Sequence, residues 1–355
     1  MHFLTCINLR NALLGVFVLC TVTCFAGGTD GYAREATFVL MTDTHVDMKC
    51  SVSDLEYLAN WIVANKASRN IAYAGHLGDV GDRRGSGPLY EMLRLARAAL
   101  QPIADTQIPF SVAMGNHDYR DDGEHPRSAA AFNHPDAFGL DFYRDAPGFK
   151  GTFEGETESD LPHPGGTANH YFVLTLADED FLFLTLEHYP RDAVMKWADA
   201  LVRERYPDHH VVVCTHAYLT RQGTLSSGRH GNNESPGPEF SNSGEDMWHK
   251  YLRHWENLRF VFNGHFIDEP RQHYLQQTGV HGNIVHSHFF NYQNWGYKDG
   301  ELYNTRSGGR YQAATVRLIT IHFDENTVRI ENYLPHVDNT VEPAHPATHF
   351  FLSAP

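Results

Sequence analysis

The stretch Ile71-Ala72-Tyr73-Ala74-Gly75-His76-Leu77-Gly78-Asp79-Val80-Gly81-Asp82 decides how the rest of the chain is read. It opens with a short apolar run, 71–75, of the length expected for a buried strand. It closes on glycines and two carboxylates. Gly78 and Gly81 permit a tight turn directly after the strand, so Asp79 and Asp82 are presented at its end.

Working outward, the same unit recurs. The run 37–41 stops at Asp43-Thr44-His45, and 109–114 stops at Gly115-Asn116-His117-Asp118. Further on, 210–214 stops at Thr215-His216, and 260–262 at Asn263-Gly264-His265. Helical periodicity falls between these runs, over 54–65, 89–103, 192–205 and 247–255; Leu55, Leu58, Trp61 and Ile62 share one side of the first. Runs 171–176 and 181–186 alternate as a hairpin, as do 313–323 and 327–333. The stretches at about 119–167 and 217–246, rich in Gly, Pro, Ser, Asn or charge, read as long loops. No linker divides the chain, so a single domain is expected over 34–355, preceded by a leader over 1–33. Polar residues at the ends of successive strands are how α/β sheets place ligand sites.

The leader is read from its pattern. Arg10 precedes an apolar run that ends near Phe25, too short for a comfortable membrane span and suited to a secretory signal cleaved after Ala26 or Ala33. A secreted or periplasmic protein with no membrane span in its mature chain is expected. Three of the five Cys lie in the leader; export permits Cys50 and Cys214 to pair, while the plainer reading is a buried thiol at the end of a strand. The chain of 355 residues carries 28 Lys plus Arg against 43 Asp plus Glu, a formal charge of −15. That balance argues against a nucleic-acid partner, which calls for a basic footprint. It leaves room for a small phosphorylated substrate, because bound cations invert the local charge. The 24 His residues direct attention to metal spacing.

A dinuclear hydrolytic site needs a bridging oxygen and mixed nitrogen and oxygen donors. Asp43 and His45 can project together from one strand end. Asp79 can bridge from the next, Asn116 offers a carbonyl oxygen, and His216 and His265 offer imidazoles. Taken singly each has a structural reading, such as a helix cap for Asp43, turn residues for Asp79 and Asp82, or a buried strand-end imidazole for His216.

Five motifs in order, each after an apolar strand, resemble the calcineurin-like metallophosphoesterase superfamily: Asp43-x-His45, Gly78-Asp79-x-x-Asp82, Gly115-Asn116-His117-Asp118, Thr215-His216 and Gly264-His265. The resemblance implies an α/β fold, two mixed β-sheets packed as a sandwich and flanked by α-helices. It implies two divalent or trivalent metal ions, from among manganese, iron, zinc and cobalt. Asp43 and His45 would bind the first ion, Asp79 would bridge, and Asn116, His216 and His265 would bind the second. The implied activity is hydrolysis of phosphate mono- or diesters by a metal-activated hydroxide. His117 would be the general acid and Asp82 its orienting partner.

The chain departs from the pattern at Ile267, which stands where many members carry the second His of G-H-x-H. A water or a nearby group is expected there, with Asp268, His286 and His288 as neighbouring candidates. The departure keeps a non-catalytic binding protein on the same fold as the alternative. His188, Arg191, His286 and His288 are the candidates for substrate contact; for Arg191 the competing reading is an ion pair with Asp192 or another carboxylate of its helix. The aromatic cluster Phe289, Phe290, Tyr292, Trp295 and Tyr297 reads as packing at the edge of the core.

Overall fold

In a computed structural model of the protein, Phe181 and Phe183 turn to one side of their strand while Leu182 and Leu184 turn to the other. The same alternation sends Val212 and Cys214 inward and Val211 and Val213 outward. These are period-two strands buried on both faces. The structure describes residues 34–46, 48–82, 88–119, 128–154, 166–227, 242–304, 315–342 and 348–349. The expected leader lies outside them.

The elements run β1 (Glu35–Met41), α1 (Val52–Ala64), β2 (Ile71–His76), α2 (Leu89–Asp105), β3 (Phe110–Val112), α3 (Leu140–Tyr143), β4 (Phe149–Thr152), β5 (His170–Leu176) and β6 (Glu179–Thr185). There follow α4 (Asp192–Ala200), β7 (His210–Cys214), α5 (Gly244–Lys250), β8 (Leu258–Asn263), β9 (Gln272–Thr278) and β10 (Ile284–Phe290). The chain continues with β11 (Trp295–Lys298), β12 (Glu301–Asn304), β13 (Val316–His322), β14 (Thr327–Leu334), β15 (Asn339–Glu342) and β16 (Thr348–His349).

One sheet has the order β15-β14-β13-β1-β2-β3, with β16 also on β14; the other has the order β4-β5-β6-β7-β8-β10-β9. Each carries a parallel run, β1-β2-β3 in the first and β6-β7-β8-β10 in the second. The mixed sandwich expected from the motifs is therefore present. The sheets meet through aromatic side chains: Phe38 and Tyr73 of the first lie 5.0 and 4.1 Å, ring to ring, from Phe183 of the second. Leu55, Leu58 and Ile62 of α1 and Leu93, Leu100 and Ile103 of α2 join that core. A second core lies between the outer face of the second sheet and Val194, Met195, Met247 and Trp248 of α4 and α5.

Several elements differ from expectation, each for a local reason. The segment 247–255 starts as a helix earlier, because Ser243 and Asp246 form a capping box within a stretch that reads as loop. Helix 192–205 becomes π-helical over Leu201–Arg205. The expected loop 119–167 contains α3 and β4, although 120–127 and 155–165 lie outside the described residues, as does 228–241 of the other loop. Strands β9 and β10 escape a hydropathy reading because Gln, His and Ser interrupt them. Cys50 and Cys214 are separate buried thiols, so no disulfide joins them. Burial pushes each thiol up to about 12.

Phe183 is fully buried where three aromatic rings converge. Phe183→Ala should destabilise the fold by about 3–5 kcal/mol, from lost transfer energy and the cavity left behind. A shift of the urea unfolding midpoint at constant slope checks this.

Candidate active site

The parallel strands of both sheets release their loops at one edge. Asp43 and His45 follow β1, Asp79 and Asp82 follow β2, and Asn116 and His117 follow β3. From the second sheet, His188 follows β6, His216 follows β7 and His265 follows β8. Backbone bonds lock the loops together: Asp43 N–H donates to Gly78 O, His45 N–H to Asp79 O, and Gly264 N–H to His216 O. The Asp118 carboxylate adds a staple, accepting N–H groups of Gly81 at 2.8 Å and Gly115 at 2.9 Å. Burial pushes that carboxyl up to about 6.

Asp79 is the hub. Its Oδ1 accepts the His117 backbone N–H at 2.8 Å. Its Oδ2 faces His216 Nε2 at 3.2 Å and His45 Nε2 at 3.5 Å. A Cβ at Gly115 would collide with the Asp79 backbone and carboxylate, so only glycine fits there. Gly264 is under the same constraint against Thr42 and Asp43.

Two groups of donors meet at the hub. Asp43, His45 and Asp79 form one; His188, His216 and His265 form the other; and a third group, His45, Asp82 and His117, shares His45 with the first, the donor atoms within each group lying within 4.8 Å of one another. Asn116 Oδ1 lies 3.2 Å from His216 Nε2, and His265 Nδ1 lies 3.2 Å from the same atom. His265 Nε2 is buried with no hydrogen-bond partner among the described residues. Buried carboxylates mixed with imidazoles, one of them orphaned, are the donor set that borderline divalent cations take. The residues therefore fit the ions that the motifs imply.

The imidazoles are held from behind. His216 Nδ1–H donates to Leu77 O at 2.8 Å, and His45 Nδ1 faces Asp82 Oδ2 at 3.2 Å. The Leu77 bond directs His216 Nε2 into the site and sets its tautomer, as partners behind metal-binding imidazoles do, while Asp82 backs His45 as an ion-pair partner. Asp82 also accepts from His117 Nδ1 at 3.0 Å, so one carboxylate orients two imidazoles. The His117 side chain keeps 12% exposure, against 1% for His45 and none for His216, which puts it at the mouth of the site.

Burial opposes charge on Asp79, but His216, His45 and His117 together hold it well below the usual carboxylate range. Burial pushes Asp43 up. Burial also opposes charge on His216, yet Asp79 raises it to about 9. His265 falls to about 3, through burial and then through the charge of His216.

The weaker sequence candidates separate. His188 reaches the site, its ring 5.4 Å from His216 and 4.9 Å from His265. Arg191 pairs with Glu187 instead of Asp192, its Nε 2.7 Å from Oε1 and Nη2 3.2 Å from Oε2. Glu187 ends the β6 unit and looks like any helix-flanking acid in the sequence. His286 and His288 lie within β10: His286 Nδ1 is 2.9 Å from the Tyr274 hydroxyl, and His288 stacks on Phe262 and Tyr274. Neither they nor Asp268 join a group of metal-type donors among the described residues. Phe290, Tyr292 and Trp295 belong to the inter-sheet core and Phe289 to the outer one, in line with the packing reading. A residue missed in the sequence is Gln293, whose Oε1 lies 3.1 Å from His45 Nε2.

A family model described as calcineurin-like phosphoesterase matches residues 36–269, well over half of the chain. The protein belongs to that family. The curated relative YvnB of Bacillus subtilis, an uncharacterized protein, is 22% identical over 304 residues, covering 85% of this chain. This chain spans only 20% of that relative's length. Among solved structures, a purple acid phosphatase from yellow lupin seeds (Lupinus luteus) is similar with a TM-score of 0.47 and 12% identity, covering 87% of this chain and 53% of its own. A dimetal phosphatase from Danio rerio has a TM-score of 0.47 and 10% identity, covering 84% and 96%.

The raised His216 generates a test. Its Nε2 must lose a proton to act as a ligand, and at neutral pH the cation-free site still holds that proton. Metal uptake in weak buffer should therefore release acid. Affinity should rise with pH by up to about tenfold per unit for each proton displaced, until His216 titrates near 9. Calorimetric titration across a pH series measures both.

Proposed function

We propose that the protein is a dinuclear metallophosphoesterase that hydrolyses phosphate mono- or diesters of small substrates. The observation that carries this reading is Asp79 Oδ2, which faces His45 of one donor group and His216 of the other. Asp43, His45 and Asp79 would hold the first ion; Asp79, Asn116, His216 and His265 would hold the second, with His188 as a further imidazole beside it. When bound, the ions supply Lewis-acid polarisation of the phosphate and a water acidic enough to attack at neutral pH.

The chain's own groups do the rest. His117 Nδ1 is committed to Asp82, which leaves Nε2 at the mouth to hand a proton to the departing oxygen. Asp82 is a positioning residue, since it acts through His117 and His45. The buried walls around Asp43, His45 and His216 limit water to the mouth. The apolar run after Arg10 supports action after export, in the periplasm or outside the cell.

A metal-reconstituted screen over phosphate mono- and diesters tests the activity, and no turnover on any ester with any of the four metals would remove it. Asp79→Asn should strip both ions or cripple their binding, read by elemental analysis. His117→Ala should cost about 10²–10⁴-fold in kcat/KM on alkyl esters and far less on nitrophenyl esters, whose leaving group needs no proton. Metal content should stay near normal. Asp82→Asn should show a milder form of the same leaving-group dependence. Equal losses on both ester types would show that His117 positions the phosphate rather than protonating the leaving group.

A further inference from the structure

The first donor group is short of one ligand. Asp43, His45 and Asp79 come from the first sheet, and Ile267 stands where the second His of G-H-x-H would complete them. We propose that Gln293 replaces that His, giving its carboxamide oxygen to the first metal. The proposal rests on the metal-dependent reading above.

The topology explains how a residue so far along the chain reaches the site. Strand β10 runs parallel to β8, and the last pair in register is Phe289 with Asn263. The two chains leave the sheet side by side at the edge where the site lies. Four residues beyond Asn263 is Ile267, and four beyond Phe289 is Gln293. The neighbouring strand therefore carries a donor as many residues past the last pair in register as the position where the motif lost one.

The side chain is placed for the role. Gln293 Oε1 lies 3.1 Å from His45 Nε2. That nitrogen is also the one facing Asp79 Oδ2 at 3.5 Å and Asp43 Oδ1 at 4.0 Å. His45 Nδ1 is engaged by Asp82, so Nε2 is the ligating atom. Without a cation, Nε2–H donates to the Gln293 oxygen; with one, both atoms can turn to it. A neutral carbonyl oxygen is a hard donor, suited to manganese more than to soft metals.

The loop is also built to hold it. Gln293 N–H donates to Asn291 Oδ1 at 2.9 Å, and Asn291 Nδ2 approaches Gln293 Oε1 at 3.4 Å. Asn291 N–H donates to Arg271 O at 2.8 Å. On the next residue, Asn294 Oδ1 accepts from Lys49 Nζ at 3.1 Å, tying the loop to the segment after His45. Gln293 is 8% exposed and Asn291 2%. A buried amide fixed at the backbone on both sides is how an outer shell orients a ligand.

The test is a titration of the metal-stripped full chain with Mn²⁺, counting free ion by electron paramagnetic resonance. Wild type should show two sites. Gln293→Met keeps the length and burial but removes the oxygen, and Gln293→Ala removes the whole group. Both should weaken one site by at least about tenfold and leave the other near wild type. Gln293→Glu, which keeps an oxygen and adds charge, should bind at least as tightly as wild type. Adding Ile267→His to Gln293→Ala should restore the lost site. Thermal unfolding without metal, unchanged in Gln293→Met, separates ligand loss from misfolding. Two wild-type sites in Gln293→Met overturn the assignment while leaving the metal-dependent reading intact. No uptake by wild type removes that reading itself.

Discussion

Keeping the Asp79 carboxylate charged inside the protein is the constraint around which the site is organised. An isolated buried carboxylate costs several kcal/mol. Here one oxygen takes a backbone N–H from His117 and the other faces the imidazoles of His216 and His45. Those contacts require three loops to crowd one atom pair. The backbone meets the demand with left-handed conformations at Asp43, His45, Asp79 and His265, none of them glycine. Such residues persist at about 1–3 kcal/mol each only where the surroundings over-determine them. The inter-loop bonds and the Asp118 staple supply that determination.

The sandwich is the other half of the device. Phe38 and Tyr73 against Phe183 fix the spacing of the two sheets. Strand ends of the first sheet bring carboxylates, Asn116, His45 and His117; the ends of β6, β7 and β8 in the second bring the imidazoles of His188, His216 and His265. The two donor groups differ in chemistry for that reason. One is rich in oxygen and the other in nitrogen.

Much of this was legible beforehand. Apolar runs ending in Asp-x-His, Gly-Asp and Gly-Asn-His expose the parallel strands, because those strands are buried on both faces and read as unbroken hydropathy. The six residues expected as ligands follow from the same motifs, and the structure gathers the other five around Asp79. What stayed hidden depended on pairing. Strand β10 carries His286, Ser287 and His288, and only its register beside β8 shows that it is interior. Gln293 sits among aromatic residues that signal core, and nothing in Asn291-Tyr292-Gln293 marks an oxygen donor. Arg191 was ambiguous because its partner, Glu187, precedes the helix rather than lying on it.

The His45–Gln293 contact spans 248 residues. Closing a loop that long contributes nothing locally, and such contacts form late because the chain entropy must be surrendered before they act. A growing chain thus carries Asp43, His45 and Asp79 for most of its length before β10 exists to meet them. The architecture therefore sets a chronology, in which the His45–Gln293 contact waits on the docking of β10, the last strand of the second sheet in chain order.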